Sequence, residues 1–370
     1  TSLSLYNQRQ LVDISLTKLL EQNEMYAVGM NGEIENVKFG IYSTDVVIAQ
    51  DESQIPADGL VATAYCDSEG KIAFDCDLPI GFDWYIQEIE TDEHYILSDE
   101  KYDFSTEYQG QETEKIKVEI DANINELKTG EIQGMKLDDS AKPLAGAVIG
   151  IFKADAEKFT ADTAVTTTIS AEDGTFSFLN IPVGKYIVKE ITAPDDYLID
   201  PNNYVIDLTD NEQIVTLEIV NVLKRGDIQG TKVDDKGNAL AGAVIGLFNA
   251  DTAEFTEETA LMTVTSDENG SFSFKNIPVG KYIVKELKAP KGYKLNEKNF
   301  DVVIAENAQV VTVEIINEAE KTEKKSPFTG ANDNEQFMNS ISFVYAAGAV
   351  ILLSAAAAKR KKNSHNTYLR

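Results

Sequence analysis

Three side chains of complementary chemistry recur in step along this chain: Lys136, Glu190 and Asn221, then Lys232, Glu286 and Asn317. From lysine to glutamate is 54 residues and from lysine to asparagine 85, in both sets. Each polar residue stands in a row of alternating apolar residues, the pattern of a half-buried strand. Leu217, Ile219 and Asn221 share one strand face, as do Val313, Ile315 and Asn317. The lysines close IQGMK (132–136) and IQGTK (228–232). The glutamates close two identical copies of NIPVGKYIVKE, at 180–190 and 276–286. Consecutive strand residues face opposite ways, so Lys189 and Glu190 cannot both meet water.

A third, more distant set begins at Lys18, in the apolar row Ile14, Leu16, Lys18, Leu20. Here WYIQE (84–88) stands where the others have YIVKE, with Gln87 in place of the lysine and Glu88 keeping the glutamate. A position that accepts Gln or Lys reads as solvated, which makes Lys189 and Lys285 the outward residues and the glutamates the inward ones. NELKTG (125–130) matches NVLKRG (221–226) and nominates Asn125 as the third asparagine. Val118, Ile120 and Ile124 lie on the opposite parity from Asn125, so that assignment requires a bulge; Asn123 is the reserve candidate.

Burial disfavours the charged form of an amine and of a carboxylic acid alike, so a neutral amine and a protonated acid can coexist in one core. The amine can then attack the asparagine side-chain carbonyl. The acid would hydrogen-bond that carbonyl, polarise it and carry protons as ammonia leaves. The product is an intramolecular isopeptide bond, with Glu88, Glu190 and Glu286 as catalytic acids. The linked pairs would be Lys18 with Asn125, Lys136 with Asn221, and Lys232 with Asn317. Such a bond forms once, which makes it self-processing rather than enzymatic turnover. The competing reading is a set of strand-edge polars or buried ion pairs, which often contribute little to stability. Tying points about 85 residues apart would remove chain entropy worth about 4–5 kcal/mol from the unfolded state. Tension on a chain so tied passes through the covalent link and largely bypasses the rest of the domain.

The elements that must position these residues repeat with them. GEIQGMKLDD (130–139) returns as GDIQGTKVDD (226–235), and LAGAVIGIF (144–152) as LAGAVIGLF (240–248), a period of 96 residues. That is the length of a whole domain rather than of a solenoid repeat. Short β-rich runs separated by turn signals predict an all-β chain of tandem Ig-like β-sandwiches. Only FTADTAV and FTEETAL could make a helical turn or two. The expected domains are 9–128, 129–224 and 225–320. SLSLYNQRQLVDI (2–14) aligns with TLEIVNVLKRGDI (216–228), so residues 1–8 read as the last strand of an upstream domain, with Asn7 as its acceptor. Together with a start at Thr1 and no export signal, this predicts a C-terminal piece of a longer protein.

Composition excludes other classes. With 33 Lys plus Arg against 62 Asp plus Glu, a formal charge of −29 repels nucleic acid and anionic lipid. Two histidines and two cysteines without CxxC spacing give no metal site, and no cofactor motif is present. DDKGN (234–238) and DENG (267–270) read as turns better than as calcium loops. Cys66 and Cys76 flank a predicted hairpin around Glu69-Gly70. A tight turn there sets Cys66 opposite Ala73, so a disulfide needs a bulge or longer loop, and two free thiols are the alternative.

The repeats resemble the collagen-adhesin B-type (SpaA-type, prealbumin-like) domains of Gram-positive surface proteins and pili. The resemblance rests on the IxGxK openings (132–136, 228–232), the KYIVKE boxes (185–190, 281–286) with their APxxY continuation, and the closing Asn221 and Asn317. It implies a lysine–asparagine or lysine–aspartate isopeptide with the box glutamate as catalyst. It is specific in the last two domains and weaker in the first.

The C-terminus adds a second resemblance. SPFTG (Ser326, Pro327, Phe328, Thr329, Gly330) lies in a linker over 321–339. An uncharged 340–358 follows, long enough for a single transmembrane helix, and then a basic tail over 359–370. This order resembles a sortase cell-wall sorting signal, with Ser326 where leucine is usual. It implies cleavage between Thr329 and Gly330 and transfer to a peptidoglycan precursor or another pilin subunit. The expectation is therefore a secreted protein anchored covalently to the cell wall from a membrane-spanning precursor. A stalk or anchoring pilin fits, since no YPK motif for shaft polymerisation occurs. The alternative is an adhesin whose 9–128 domain, with Trp84, binds a host or matrix ligand.

Overall fold

The computed structural model describes residues 10–48 and 52–321. The described chain is all-β apart from one short 3-10 turn at Glu33–Asn36, and contains no helix long and apolar enough to cross a membrane. The motifs at Asn7, at 326–330 and at 340–358 lie outside the described residues.

The plan is the same three times over: two sheets face each other, and the opening and closing strands lie side by side in the first. In the second domain that sheet runs in the order 175–182, 129–138, 214–223, 197–198, and the facing sheet in the order 166–169, 148–153, 184–192, 204–208. The opening strand pairs with the closing one in parallel, from Glu131 opposite Ile214 to Asp138 opposite Asn221. The third domain repeats this register from Asp227 opposite Val310 to Asp234 opposite Asn317. In the first domain Leu11–Thr17 pairs in parallel with Lys115–Asp121.

The strands interleave because apolar residues alternate along them. Ile132 and Lys136 point inward while Gln133 is exposed. Gly134 leaves the space that the Phe176 ring fills; a Cβ there would collide with the ring. The runs FTADTAV and FTEETAL form turns rather than helix, held at Thr160 and Thr163 and at Thr256 and Thr259 by mutual side-chain contacts.

The predicted hairpin around Glu69-Gly70 is a crossover instead. Leu60–Tyr65 belongs to one sheet and Lys71–Ala73 to the other, so the turn hands the chain across the sandwich. Cys66 and Cys76 are accordingly free thiols packed in or against the first core, and burial pushes the Cys66 thiol up to about 12. The DDKGN segment is an Asx turn, with Asp234 Oδ1 accepting the backbone N–H groups of Lys236 and Asn238.

The first and second domains share apolar packing. Tyr26, Val28, Tyr95 and Leu127 join the core cluster of the second domain. The Tyr26 ring meets Tyr186 edge to face, with centroids 5.6 Å apart. The segment that carries Tyr26 has no counterpart in the later repeats, where a five-residue turn follows the lysine strand.

Candidate functional site

Each site is assembled from three strands and one turn. The lysine ends the inward row of the opening strand, and its backbone N–H is held by the turn glycine. Lys18, Lys136 and Lys232 donate to the carbonyls of Gly70, Gly174 and Gly270 at 2.8, 2.7 and 2.7 Å. These glycines have φ of +74°, +79° and +72°, a left-handed conformation that costs glycine little.

The glutamate comes from the facing sheet and is aimed by a β-bulge. Ile149 pairs with Glu190 but Val148 pairs with Thr192, leaving Ile191 as the extra residue. The same shift follows Glu286 and Glu88. Bulges beside sites of this kind re-aim a side chain, and here one falls immediately after each inward glutamate.

In the third domain Lys232 Nζ donates to Asn317 Oδ1 at 2.5 Å and to the Ile315 carbonyl at 3.0 Å. Asn317 Nδ2 donates to both Glu286 oxygens, at 3.0 and 2.9 Å, and Lys232 lies 3.6 Å from Glu286 Oε1. In the second domain Lys136 Nζ donates to Asn221 Oδ1 and to the Ile219 carbonyl. Asn221 Nδ2 donates to Glu190 Oε1 at 2.8 Å. Oε2 of each glutamate also accepts a backbone N–H, from Asp200 for Glu190 and from Asn296 for Glu286, each at 2.7 Å. All six side chains are sealed from solvent.

Burial holds the Lys136 and Lys232 amines below the ordinary lysine value, against the opposing pull of Glu190 and Glu286. Two acceptors per amine match the two N–H groups of a neutral amine, which leaves a lone pair for attack. The arrangement therefore brings an amine, a carboxamide and a carboxyl group into contact in a buried site, with each glutamate on the amide nitrogen rather than on the carbonyl.

The first domain brings together Lys18, Glu88 and Asn125, all buried. The bulge that Asn125 requires is present: Thr17 pairs with Asp121, but Leu20 bridges to Asn125, one residue further on. Asn123 is exposed, and it is its backbone carbonyl, not its side chain, that accepts from Lys18 Nζ. The reserve candidate is thus outside the site.

Lys189 and Lys285 are not simply solvated. Lys189 Nζ donates to the Pro201 carbonyl and to Asn203 Oδ1, both at 2.7 Å. Lys285 donates to the Glu297 carbonyl at 2.6 Å and to Asn299 Oδ1 at 2.7 Å. Gln87 reaches the Asp99 carbonyl in the same manner at 3.3 Å. A long polar side chain at this position tethers the following loop, which explains why Lys and Gln both serve.

Three stretches, 27–124, 130–222 and 226–319, match the model of the SpaA prealbumin-like fold domain. The chain belongs to the SpaA prealbumin-like domain family. Among curated relatives of these SpaA-type repeats is a trypsin-resistant surface T6 protein of Streptococcus pyogenes, 33% identical over 106 residues. That match covers 28% of this chain and 18% of the relative. A collagen adhesin of Staphylococcus aureus is 25% identical over 211 residues, covering 51% of this chain and 18% of that protein. The chain thus matches less than a fifth of the length of either relative, both of them from Gram-positive bacteria. The solved structure of the Bacillus anthracis TIE protein shares the SpaA-type fold with a TM-score of 0.62 at 22% identity, covering 84% of this chain and 51% of that one.

Proposed function

We propose that this chain is a surface-protein stalk or anchoring pilin of a Gram-positive cell, each domain locked by its own lysine–asparagine isopeptide bond. The observation that carries this reading is the 2.5 Å approach of Lys232 Nζ to Asn317 Oδ1, with Glu286 on the same carboxamide in a fully buried site. Holding the amine in contact with the carboxamide supplies much of what an uncatalysed amide exchange lacks. Attack of the amine on Asn317 Cγ forms the new C–N bond and breaks the bond from Cγ to Nδ2. A proton from the amine passes by way of Glu286 to the departing nitrogen, which leaves as ammonia. The same roles fall to Lys136, Glu190 and Asn221, and to Lys18, Glu88 and Asn125.

The surface placement rests on the order of SPFTG, apolar stretch and basic tail, together with relatives named as a surface protein and an adhesin. A sortase would cut between Thr329 and Gly330 and pass the Thr329 carbonyl to a wall precursor or another pilin. Intact mass tests the latch: the chain should be lighter than its sequence by one ammonia per closed domain. Lys136→Ala or Glu190→Ala should restore one ammonia. A mass equal to that of the plain sequence would overturn the reading. Peptides of wall-extracted protein should end at Thr329, and recovery of residues beyond Gly330 would refute the anchoring step.

A further inference from the structure

The first domain grips its asparagine differently from the other two. In the later domains each carboxamide is held at both ends, by the lysine on Oδ1 and the glutamate on Nδ2. In the first domain Lys18 donates to the Asn123 carbonyl, and Asn125 Oδ1 has no partner. Glu88 Oε2 also accepts no hydrogen bond, lacking the backbone N–H that Asp200 and Asn296 supply elsewhere; Lys18 lies 3.1 Å from it as an ion-pair contact. Glu88 Oε1 holds Asn125 Nδ2 at 2.6 Å, and a single hydrogen bond leaves the amide plane free to turn about it.

The second point of attachment is Thr91, whose Oγ1 accepts the other Nδ2 hydrogen at 3.0 Å. Thr91 lies three residues beyond Glu88. The residues three beyond Glu190 and Glu286 are Ala193 and Ala289, which have no hydroxyl. The hydroxyl is therefore present in the one domain whose carboxamide lacks the lysine contact, and absent where that contact is made.

We infer that Thr91 is the positioning residue of the first-domain latch, fixing the Asn125 carboxamide for attack by Lys18. The inference rests on the proposed isopeptide chemistry and assigns a residue to it. In that step Lys18 Nζ bonds to Asn125 Cγ and the bond from Cγ to Nδ2 breaks. One amine proton passes through Glu88 to Nδ2, which departs as ammonia. Thr91 gains and loses no atoms; it accepts an N–H of the departing group and so sets the plane of the amide.

The test follows closure of all three domains in newly synthesised full-length chain, by mass spectrometry of the linked peptides over time and pH. Thr91→Val keeps the volume without the hydroxyl, and Thr91→Ser keeps the hydroxyl. Loss of one positioning hydrogen bond should slow first-domain closure about tenfold in Thr91→Val at every pH. Thr91→Ser should close at the wild-type rate, and the Lys136–Asn221 and Lys232–Asn317 links should be unaffected in both. Trp84, the chain's one tryptophan, is buried in the first domain, and its emission reports that this domain remains folded. Wild-type closure in Thr91→Val, or slow closure in Thr91→Ser, overturns the inference. A wild-type chain linked in the later domains but not in the first also overturns it. Links absent from all three domains would instead refute the isopeptide reading itself.

Discussion

Gly174 and Lys136 are locked backbone to backbone: the glycine carbonyl accepts the lysine N–H at 2.7 Å, and a Cβ on Gly174 would meet the lysine carbonyl at 2.5 Å. The turn therefore fixes the position of the lysine main chain, and no side chain fits there. Gly174→Ala should destabilise the second domain by about 1–3 kcal/mol through its left-handed φ alone. Crowding of Lys136 should also leave that domain unlinked. Thermal unfolding and intact mass check the two effects separately.

The acid function proposed for Glu190 is separable from its structural contacts. Glu190→Gln keeps an oxygen to accept the Asp200 N–H but has no exchangeable acid proton. The variant should fold yet retain one ammonia, with the loss confined to the second domain. Its stability should fall by about 4–5 kcal/mol, the entropy contributed by a cross-link of this loop length. Peptide mapping and denaturant unfolding of the same sample give both readings.

An unlinked lysine makes stability depend on pH. Asn317→Ala leaves Lys232 buried without its acceptor, and burial lowers the amine from its ordinary value of 10.5. Between the lowered folded value and 10.5 the unfolded chain binds the proton more tightly. Stability of that variant should therefore rise as pH increases through this interval. If the proposed link is closed, the wild type has no titratable amine there and should lack this rise. Urea unfolding at a series of alkaline pH values tests the sign.

Tethering of the loop by Lys189 predicts a graded series. Lys189→Ala removes the bonds to Pro201 and Asn203 and should cost on the order of 1–2 kcal/mol. Lys189→Gln should cost less, because Gln87 already makes the equivalent contact in the first domain. Faster amide exchange across 200–203 should accompany the loss, including at the Asp200 N–H that holds Glu190.

Strand parity alone placed Lys18, Lys136, Lys232, Asn221 and Asn317 in the core, because an alternating row leaves a polar residue no other face. It also showed that Asn125 needs one extra residue, which the shift between Asp121 and Asn125 provides. Parity could not show that the turn at Glu69-Gly70 crosses between sheets, since a hairpin and a crossover use the same turn residues. Nor could it show the work of Lys189, because an outward side chain can bend back to a loop whose path depends on tertiary packing. Thr91 escaped for a related reason: it lies beyond the bulge at Ile89, where simple alternation no longer tells which way a residue points. A comparison of Thr91 with Ala193 and Ala289 was the signal present in the sequence. The packing of Tyr26 on Tyr186 joins residues of different repeats, which a comparison of repeats with one another does not reveal.

The parallel pairing of opening and closing strands decides how a domain meets a pull on its two ends. In the second domain the chain enters beside Glu131 and leaves beyond Asn221, at opposite ends of one ladder. A pull therefore loads the ladder in shear, with its hydrogen bonds stressed together rather than unzipped one at a time. Lys136 and Asn221 stand at the exit end of that ladder. The proposed covalent tie there would stop the two strands from sliding past each other, and would confine extension to the residues between one domain's asparagine and the next domain's lysine.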